Sequence, residues 1–267
     1  MNTESCAQQQ YYRKHRRHHN IVAFLRIFIL ISFLVLWETA SGLGWIDSFF
    51  FSSPSMVASY FLKMLKDGSF FLHTGITLFE TLISFVLIFF LGIFSATLLW
   101  YFHPVAEVTE PYLVILNSLP KSALAPLLIV WLGTGMNTII IAGISVALFG
   151  SIINLYTCFR QVDEERSKLI YTLGGTKFDV YRKVILPSSV PGIISNMKVN
   201  VGLALVGVII GEFLAARRGL GYLIIYGSQV FQLNMVITSI LILCMLALLF
   251  YQLLQYLEHS NKKSNYL

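Results

Sequence analysis

Six apolar segments alternate with shorter polar stretches along the 267 residues of the chain. A helix that crosses a bilayer needs about 20 consecutive, mainly apolar residues. The segments that meet this requirement lie at 21–43, 81–106 (beginning near residue 77), 111–133, 138–159, 192–216 and 234–257. The pattern predicts an all-α membrane protein, a polytopic bundle of about six transmembrane helices.

Proline residues and a short amphipathic stretch modify this picture at two places. The third segment is interrupted by Pro120, Lys121 and Pro126. This predicts a kinked helix packed inside the bundle, because freed backbone groups in a bilayer must find partners in neighbouring helices. Between Ser53 and Gly68 the apolar residues follow a helical period. This predicts an amphipathic helix in the membrane interface, with Ser53 as its N-cap.

Composition and cysteine usage exclude several functional classes. The chain is 56% hydrophobic and 12% charged, whereas about 25% of the residues of a soluble domain are charged. A disordered protein, a nucleic-acid-binding domain and most soluble enzymes are therefore excluded. The three cysteines lie far apart and form no CxxC motif, so neither a disulfide framework nor a metal site is predicted.

Lysine and arginine are distributed unevenly between alternate polar stretches. Cytoplasmic loops of membrane proteins carry an excess of these residues. With the N-terminus inside the cell, 14 of the 19 lie on the inner side and four on the outer side. We therefore predict a multi-pass cell-membrane protein with both termini in the cytoplasm. It consists of a basic N-terminal tail (1–20), one transmembrane domain (21–257) and a C-terminal tail (258–267).

Residues 160–187 form the only long charged stretch within the transmembrane domain, and on this topology they are cytoplasmic. The acidic residues 163–165 favour the N-terminus of a helix, because the helix dipole places partial positive charge there. Gly174 and Gly175 favour the end of that helix, because glycine tolerates the left-handed conformation of a C-cap. The first half of the segment is therefore predicted to be a short helix.

The second half of the same segment has its own start and stop signals. Thr176 and Asp179 have the spacing of a capping box, which begins a helix, and Pro187 is expected to end it. The segment is thus predicted to be a helix–turn–helix at the inner face of the membrane. Such a surface helix pair either docks a soluble partner or is solvated without one.

Several motifs in this arrangement resemble one family. The spacing from Gly174 to Pro187, which includes the ILP of residues 185–187, resembles the cytoplasmic EAA loop of ABC-importer permeases. Three further stretches resemble the nitrate/sulfonate/taurine branch of that family: SLPKSALAPLLIVWLGTG (118–135), VILPSSVPGI (184–193) and GLGYLI (219–224). With the layout of the apolar segments, the resemblance covers residues 21–257.

The resemblance implies a transmembrane permease subunit of an ATP-driven importer, forming the translocation path for a small solute. In this branch the solute is a sulfonate, nitrate or taurine-like anion, or a pyrimidine-type vitamin precursor. An extracytoplasmic substrate-binding protein delivers it, and a separate cytoplasmic ABC ATPase subunit hydrolyses ATP. The permease pairs as a homodimer in the membrane. The chain itself is then non-catalytic, with no cofactor and no nucleic-acid partner.

The resemblance also assigns a role to residues 160–187, called the coupling loop from here on. It implies that the loop sits in a groove of the ATPase and transmits its motion to the membrane helices. The residues that carry this expectation are Glu165, Lys168, Leu169, Gly174, Gly175, Ile185, Leu186 and Pro187.

The coupling loop departs from the family pattern at one position. Counting back from Gly174 places Lys168 where the family has the glutamate of its Glu-Ala-Ala triplet. Two explanations stay open. Either Glu165, about one helical turn upstream on a similar face, replaces that glutamate, or the partner ATPase carries altered charge.

Polar residues inside the apolar segments are candidates for the translocation path, because they are costly in a membrane and often functional. Asn117 and Lys121 lie near the predicted kink of the third segment. Each also has a structural explanation. Asn117 could join neighbouring helices, and Lys121 could extend towards the interface or pair with a carboxylate. The carboxylates considered for it are Glu80, Glu107 and Glu110.

Glu212, at the outer end of the fifth segment, is the third candidate. It could line the path or pair with Arg217 or Arg218 in the following loop. The chain has no P-loop, no HExxH and no GxSxG motif, so ATP hydrolysis is not predicted for it. A competing interpretation is an ion-coupled secondary transporter, in which Glu212 and Lys121 would be the coupling groups.

Overall fold

The computed structural model describes the backbone of residues 6–264 and, with the exception of residue 23, the side chains of residues 21–256. Within the described range the chain is helical and contains no strand. Its helices are α1 (Cys6–Gly42), α2 (Ser48–Phe51), α3 (Pro54–Lys66), α4 (Ser69–Tyr101), α5 (His103–Ser118), α6 (Lys121–Leu132), α7 (Met136–Arg160), α8 (Glu164–Thr172), α9 (Lys177–Val180), α10 (Leu186–Ala215), α11 (Leu220–Gln229) and α12 (Leu233–Ser264).

Five helical stretches in the described residues are long and apolar enough to cross a membrane. They are Phe24–Gly42 of α1, α4, α7, the continuous run Lys177–Ala215 and α12. A sixth span exists if α5 and α6, whose axes meet at 94°, count as one broken span. The protein is therefore an all-α, multi-pass membrane protein, as the apolar pattern predicts.

The third predicted span differs from the expectation of one kinked helix packed inside the bundle. The chain breaks between α5 and α6 because Pro120 has no N–H to donate, and Leu119 before it is extended (φ −61°, ψ 138°). Most of this bent pair faces outwards: Ile115 is 59% exposed and Val130 is 80% exposed. The prediction of an interior position was wrong for the single chain.

Proline also misled the prediction at the second helix of the coupling loop. Pro187 does not end that helix. It lies in the first turn of α10, and Lys177–Ala215 is one continuous run of 39 residues. A π-helical turn at Tyr181–Ile185 precedes it. A wider turn of this kind relieves the clash between a proline ring and the preceding turn, so the helix passes through the position.

The bounds of the second and first spans also differ from those predicted. The helix assigned to 81–106 is α4, which begins at Ser69 and ends at Tyr101. It ends there because Pro104 suits the first turn of a new helix, α5. The first span, predicted from Ile21, is part of α1, which begins at Cys6.

The centre of the bundle is α7, packed between α4 and α10. Close approach of these helices depends on small residues, as is typical in membranes. A Cβ atom on Gly207 of α10 would lie 2.8 Å from the Cα of Gly143 in α7. Nearby, Asn196 and Asn200 of α10 each donate a 2.8 Å hydrogen bond to the Ser151 hydroxyl of α7. These contacts join α7 to α10 at the centre of the bundle.

The predicted amphipathic helix is α3. Ser53 is its N-cap and accepts a 3.3 Å hydrogen bond from the backbone N–H of Met56. Its apolar face buries Val57 and Met64. The first turn is tied to α1, because Glu38 accepts a 2.7 Å hydrogen bond from the Ser55 hydroxyl.

Candidate functional site

The first half of the coupling loop folds into α8 as its sequence signals predict. The Asp163 side chain accepts a 2.9 Å hydrogen bond from the N–H of Glu165 and caps the helix. At the other end, the N–H of Gly175 bonds to the carbonyl of Ile170 at 2.9 Å. Gly174 adopts the left-handed φ of +81° that this Schellman closure requires.

The second half of the loop begins at the predicted capping box. The N–H of Thr176 donates to Asp179 Oδ2 at 2.9 Å, and the N–H of Asp179 donates to the Thr176 hydroxyl at 3.3 Å. Lys183 adds an exposed ion pair with Asp179 at 3.4 Å. The short connection between α8 and α9 therefore has both of its helix ends closed by hydrogen bonds.

Two polar contacts fasten this second helix to the end of α4. Lys177 donates a 2.5 Å hydrogen bond from Nζ to the carbonyl oxygen of Tyr101. The hydroxyl groups of Tyr181 and Thr97 lie 2.7 Å apart. Because Thr97 and Tyr101 lie in the last two turns of α4, the loop is attached directly to a membrane-spanning helix.

The predicted coupling residues divide into an exposed set and a packed set. Leu169 of α8 is 59% exposed, although Ile170 beside it packs against the core cluster around Phe159. Ile185 is buried and Leu186 is half-buried, so these two support the helix from inside. Pro187 is exposed.

The first helix of the loop presents mixed charge to solvent. Lys168 forms an exposed i,i+4 ion pair with Glu164 at 3.6 Å. Glu165 is exposed and forms no ion pair with any residue that the structure describes. Lys168, which occupies the family's glutamate position, is thus paired within α8, whereas Glu165, about one turn upstream, is not paired.

Asn117 and Lys121 meet at the break between α5 and α6. The Lys121 ammonium group donates to the carbonyl oxygen of Asn117 and, at 3.2 Å, to that of Leu116. It therefore caps the end of α5, and within the described chain it pairs with no carboxylate. The Asn117 side chain lies against Gly150 of α7, where a Cβ atom would be 3.1 Å from its Oδ1. Asn117 therefore lies at a packing contact with α7, and Lys121 closes the end of α5.

Glu212 lies at the opposite end of the bundle and is fully buried. Its carboxylate accepts a 2.7 Å hydrogen bond from the Thr77 hydroxyl of α4 and a 2.5 Å bond from the N–H of Gly221. Gly221 is in the first turn of α11, so Glu212 caps that helix and joins it to α4. The predicted ion pair with Arg217 or Arg218 does not form.

A second buried acid accompanies Glu212. Glu80 of α4 is 2% exposed, and a side-chain hydrogen bond links it to Glu212. Its Oε2 atom accepts no hydrogen bond from the described part of the chain. The two acids, with Thr77 and Gly221, form what we call the outer carboxylate cluster, after the side on which the topology expected from the sequence places it.

Comparison with known proteins decides the family. The family model described as "Binding-protein-dependent transport system inner membrane component" matches residues 88–263. That match covers α4 from Ile88 onwards, the bent pair, α7, the coupling loop and the helices that follow. The chain belongs to this family.

Curated relatives of the permease extend the match over most of its length. It is 29% identical over 226 residues to a probable ABC transporter permease protein of Haemophilus influenzae, covering 85% of this chain and 91% of that one. It is 28% identical over 190 residues to the formylaminopyrimidine transport permease protein ThiX of Halalkalibacterium halodurans, covering 71% and 75%. It is 26% identical over 230 residues to the putative aliphatic sulfonates transport permease protein SsuC of Bacillus subtilis, covering 86% and 83%.

A solved structure supports the same fold for the permease. An inward-facing MetNI methionine ABC transporter matches with a TM-score of 0.62 at 18% identity, covering 70% of this chain and 94% of that one. Membership of the family implies an ATPase and a binding protein as partners. The family component is generally non-catalytic, and these comparisons confirm the branch that the motifs indicated.

The sequence pattern missed several members of the outer carboxylate cluster in the permease. His73, Thr77 and Glu80 lie at i, i+4 and i+7 on α4, which places them on one face of the helix. His73 accepts a 3.0 Å hydrogen bond from the N–H of Gly219. Three polar residues at helical spacing in an apolar helix are the signal that could have identified this face.

Proposed function

We propose that this permease forms the translocation path of an ATP-driven importer and receives motion from its ATPase through the coupling loop. The observation that carries the proposal is the attachment of a capped helix–turn–helix to the end of α4 by Lys177 and Tyr181. A loop built in this way moves as one body with the membrane helix. Such a rigid link is what the transmission of a closing motion requires.

The ATPase would cover the apolar side chains that the coupling loop exposes. Leu169, Leu173 and Phe178 are 59%, 76% and 60% exposed. Burying an aliphatic or aromatic side chain of this size contributes about 1.5–3 kcal/mol relative to leaving it in water. Three such anchors beside a polar rim have the composition of an interface core. We define these three residues as the docking face.

Glu165, and not Lys168, is the acid that we expect to contact the ATPase. Lys168 is held by Glu164 within α8, whereas Glu165 has no ionic partner in the described chain. A basic residue in the groove of the ATPase would therefore meet Glu165. This favours the first of the two explanations for the departure from the family pattern.

We also propose that two copies of the permease pair through the bent helices α5 and α6. The apolar side chains of this pair are exposed in the single chain, including Tyr112 at 63% and Trp131 at 69%. A second copy related by a two-fold axis would cover the same face on both subunits. In this arrangement the 94° break lies next to the axis of the complex.

The orientation and the substrate class follow from charge and from the relatives. With the coupling loop in the cytoplasm, both termini are cytoplasmic and the outer carboxylate cluster faces outwards, in agreement with the positive-inside bias. The relatives are named for aliphatic sulfonates and for formylaminopyrimidine. We therefore propose that the transported solute is a small polar molecule, similar in size to an aliphatic sulfonate or a formylaminopyrimidine. A binding protein delivers it, and the separate ATPase subunit hydrolyses ATP.

Co-purification tests the proposed function. The tagged permease, purified in mild detergent from its native membrane, should retain a P-loop ATPase in equal amount and hydrolyse ATP. Replacing Leu169 and Leu173 by serine should remove the ATPase without affecting membrane insertion. Leu62→Ser, an equally exposed leucine on α3 (56%), is the matched control.

The opposite outcome is equally clear. An inserted permease that elutes alone, under conditions that preserve a known importer complex, would overturn the proposal. It would favour an ion-coupled transporter, for which the buried acids Glu80 and Glu212 would be the groups to study.

A further inference from the structure

A pocket of about 350 Å³ lies at the end of the bundle that is opposite to the coupling loop. It is formed between α2, α3 and the loop that leads into α12. Pockets that bind small molecules usually have volumes of about 300–1,000 Å³, so this one accommodates a polar group of several heavy atoms. Its walls include Phe49, Tyr60, Lys63, Phe231, Gln232 and Asn234.

The pocket lies where the apolar spans begin and end. The span of α12 begins at Leu233, which lines the pocket, and the span of α1 ends at Gly42, a few residues before α2. Trp45 and Phe231 are exposed at this level, and aromatic side chains are enriched at the depth of lipid head groups. The amphipathic helix α3 fits the same depth. The pocket therefore faces the head-group region of the membrane.

The polar side chains of the pocket offer hydrogen-bond donors. Lys63 is exposed and forms no ion pair with a carboxylate that the structure describes. The Oδ1 atom of Asn234 already accepts a 2.6 Å hydrogen bond from the Ser52 hydroxyl, so the amide N–H groups of Asn234 are its remaining polar groups. Gln232 adds a second, exposed amide. A negatively charged group with several acceptor oxygens, such as a phosphate, matches these donors.

None of the residues described around the pocket is an acid. The two acids that are close in sequence are engaged elsewhere. Asp47 accepts a 2.8 Å hydrogen bond from the N–H of Phe49 and caps α2. Asp67, one turn after Lys63, accepts hydrogen bonds from the N–H and the hydroxyl group of Ser69 at 3.0 and 2.6 Å. An anionic group in the pocket therefore meets a lysine and no carboxylate in the wall.

We propose that this pocket binds the head group of an anionic phospholipid, with the phosphate at Lys63 and Asn234 and the first part of an acyl chain against Phe49. Phosphatidylglycerol has the required chemistry, because it carries a net negative charge and no ammonium group. A zwitterionic lipid adds an ammonium group for which the pocket wall holds no carboxylate. The inference goes beyond the proposed function, since it requires a membrane boundary at this end of the bundle and no transport. The bound lipid would join α3 to the start of α12, beside the contact between Ser52 and Asn234.

Lipid titration followed by native mass spectrometry tests the proposal on the full-length permease, together with the subunits that co-purify with it. The probes are dioleoylphosphatidylglycerol and dioleoylphosphatidylcholine, which carry the same acyl chains. One basic side chain near the membrane surface contributes about fivefold in affinity for an anionic lipid. We therefore expect the phosphatidylglycerol to bind about fivefold more tightly than the phosphatidylcholine. Soluble glycerol phosphate should not displace the lipid, because it lacks the acyl chains.

Substitutions locate the site on the permease. Lys63→Gln should lower the affinity for phosphatidylglycerol about fivefold and leave that for phosphatidylcholine unchanged. Lys66→Gln is the matched control, because Lys66 is an exposed base in the same turn of α3 that does not line the pocket. Phe49→Ser should weaken the binding of both lipids. Phe50→Ser should not, because Phe50 is similarly exposed (54% against 57% for Phe49) but lies outside the pocket wall.

Three results would overturn the proposal. The first is equal affinity of the wild-type permease for the two lipids. The second is a Lys63→Gln protein that binds phosphatidylglycerol as the Lys66→Gln protein does, which would indicate general attraction to the charge of α3. The third is displacement of the lipid by glycerol phosphate, which would make the occupant a soluble phosphate. Because Lys63 is exposed, its substitution should leave the fold intact, and the melting temperature of each variant verifies this.

Discussion

Lys177 in the coupling loop donates a hydrogen bond to the carbonyl oxygen of Tyr101 at the end of α4, with 2.5 Å between Nζ and the oxygen. Its ammonium group also lies 4.9 Å from the ring centre of Tyr101 and 5.6 Å from that of Trp100. The last carbonyl groups of a helix carry partial negative charge, so a cation is stabilised there. The loop is thereby fixed to the helix whose other end carries Glu80.

Lys177→Met should separate ATP hydrolysis from transport. Removal of a charge-assisted hydrogen bond, worth about 1.5–3 kcal/mol, loosens the loop from α4 but leaves the docking face intact. We expect an unchanged amount of bound ATPase and a fall of about tenfold in solute transported per ATP hydrolysed, measured in proteoliposomes. Lys177→Arg, which keeps the charge, should retain most of the coupling.

Lys183→Met is the matched control for that experiment. Lys183 lies in the same loop, but its ion pair with Asp179 is exposed, and such pairs contribute only about 0–1 kcal/mol. Equal transport-to-hydrolysis ratios in the Lys177→Met and Lys183→Met proteins would show that the contact with Tyr101 does not transmit the motion.

Gly174 should be essential for coupling because of its backbone conformation. Its φ is +81°, and a Cβ atom added there would meet nothing within 4 Å. The cost of Gly174→Ala is therefore conformational, about 1–2 kcal/mol. We expect this variant to lose most substrate-stimulated ATPase activity, and Gly174→Asn to lose less because asparagine tolerates the left-handed region.

Gly44→Ala separates this effect from general destabilisation. Gly44 has a φ of +73° and equally open surroundings, but it lies between α1 and α2. Both alanine variants should lower the melting temperature of the purified complex similarly, and only Gly174→Ala should reduce coupling. A Gly44→Ala protein with the same loss of stimulated activity would argue against a special role for the turn.

The coupling loop could be predicted from sequence because its structure is local. The capping box of Thr176 and Asp179 and the glycine closure at Gly174 involve residues within a few positions of one another. Such interactions form in any context in which the two helices form. The residues therefore specify both helix ends without help from the rest of the bundle.

The outer carboxylate cluster and the bent pair could not be predicted in the same way. Glu212 accepts its hydrogen bond from Thr77, which is 135 positions away, and the nearby arginines were the obvious but wrong partners. Proline is equally ambiguous: Pro120 breaks the chain between two helices, whereas Pro187 is carried through by a π-helical turn. Packing of distant segments decides between these outcomes.

Gly221→Ala should strongly destabilise the end of the bundle that carries the outer carboxylate cluster. A Cβ atom at this position would lie 2.7 Å from Oε2 and 2.9 Å from Cβ of Glu212, so either the carboxylate or α11 must shift. Overpacking of this kind typically costs about 1–3 kcal/mol. We expect a lower melting temperature in detergent, together with loss of the cap on α11.

Gly75→Ala provides the comparison for that variant. Gly75 lies on α4 one turn before Phe79, and a Cβ atom there would meet nothing within 4 Å. Alanine in an exposed helix is favoured over glycine by about 1 kcal/mol, so its melting temperature should stay the same or rise. A Gly221→Ala protein as stable as Gly75→Ala would mean that Glu212 does not hold α11 in place.

The pairing of two permeases through the bent helices can be tested with single cysteines. Val130 of α6 is 80% exposed in the single chain and Phe94 of α4 is 67% exposed, so both positions are open in a monomer. The variants are made in a chain whose native cysteines are replaced by serine. We expect Val130→Cys to cross-link between copies about tenfold faster than Phe94→Cys. A specific interface keeps the α6 surfaces of the two copies in contact and leaves the α4 surface in lipid. The measurement is the rate of dimer formation with a short bifunctional maleimide in native membranes. Equal rates at the two positions would indicate random collisions, and faster cross-linking at Phe94 would move the interface to α4, leaving α5 and α6 to face lipid.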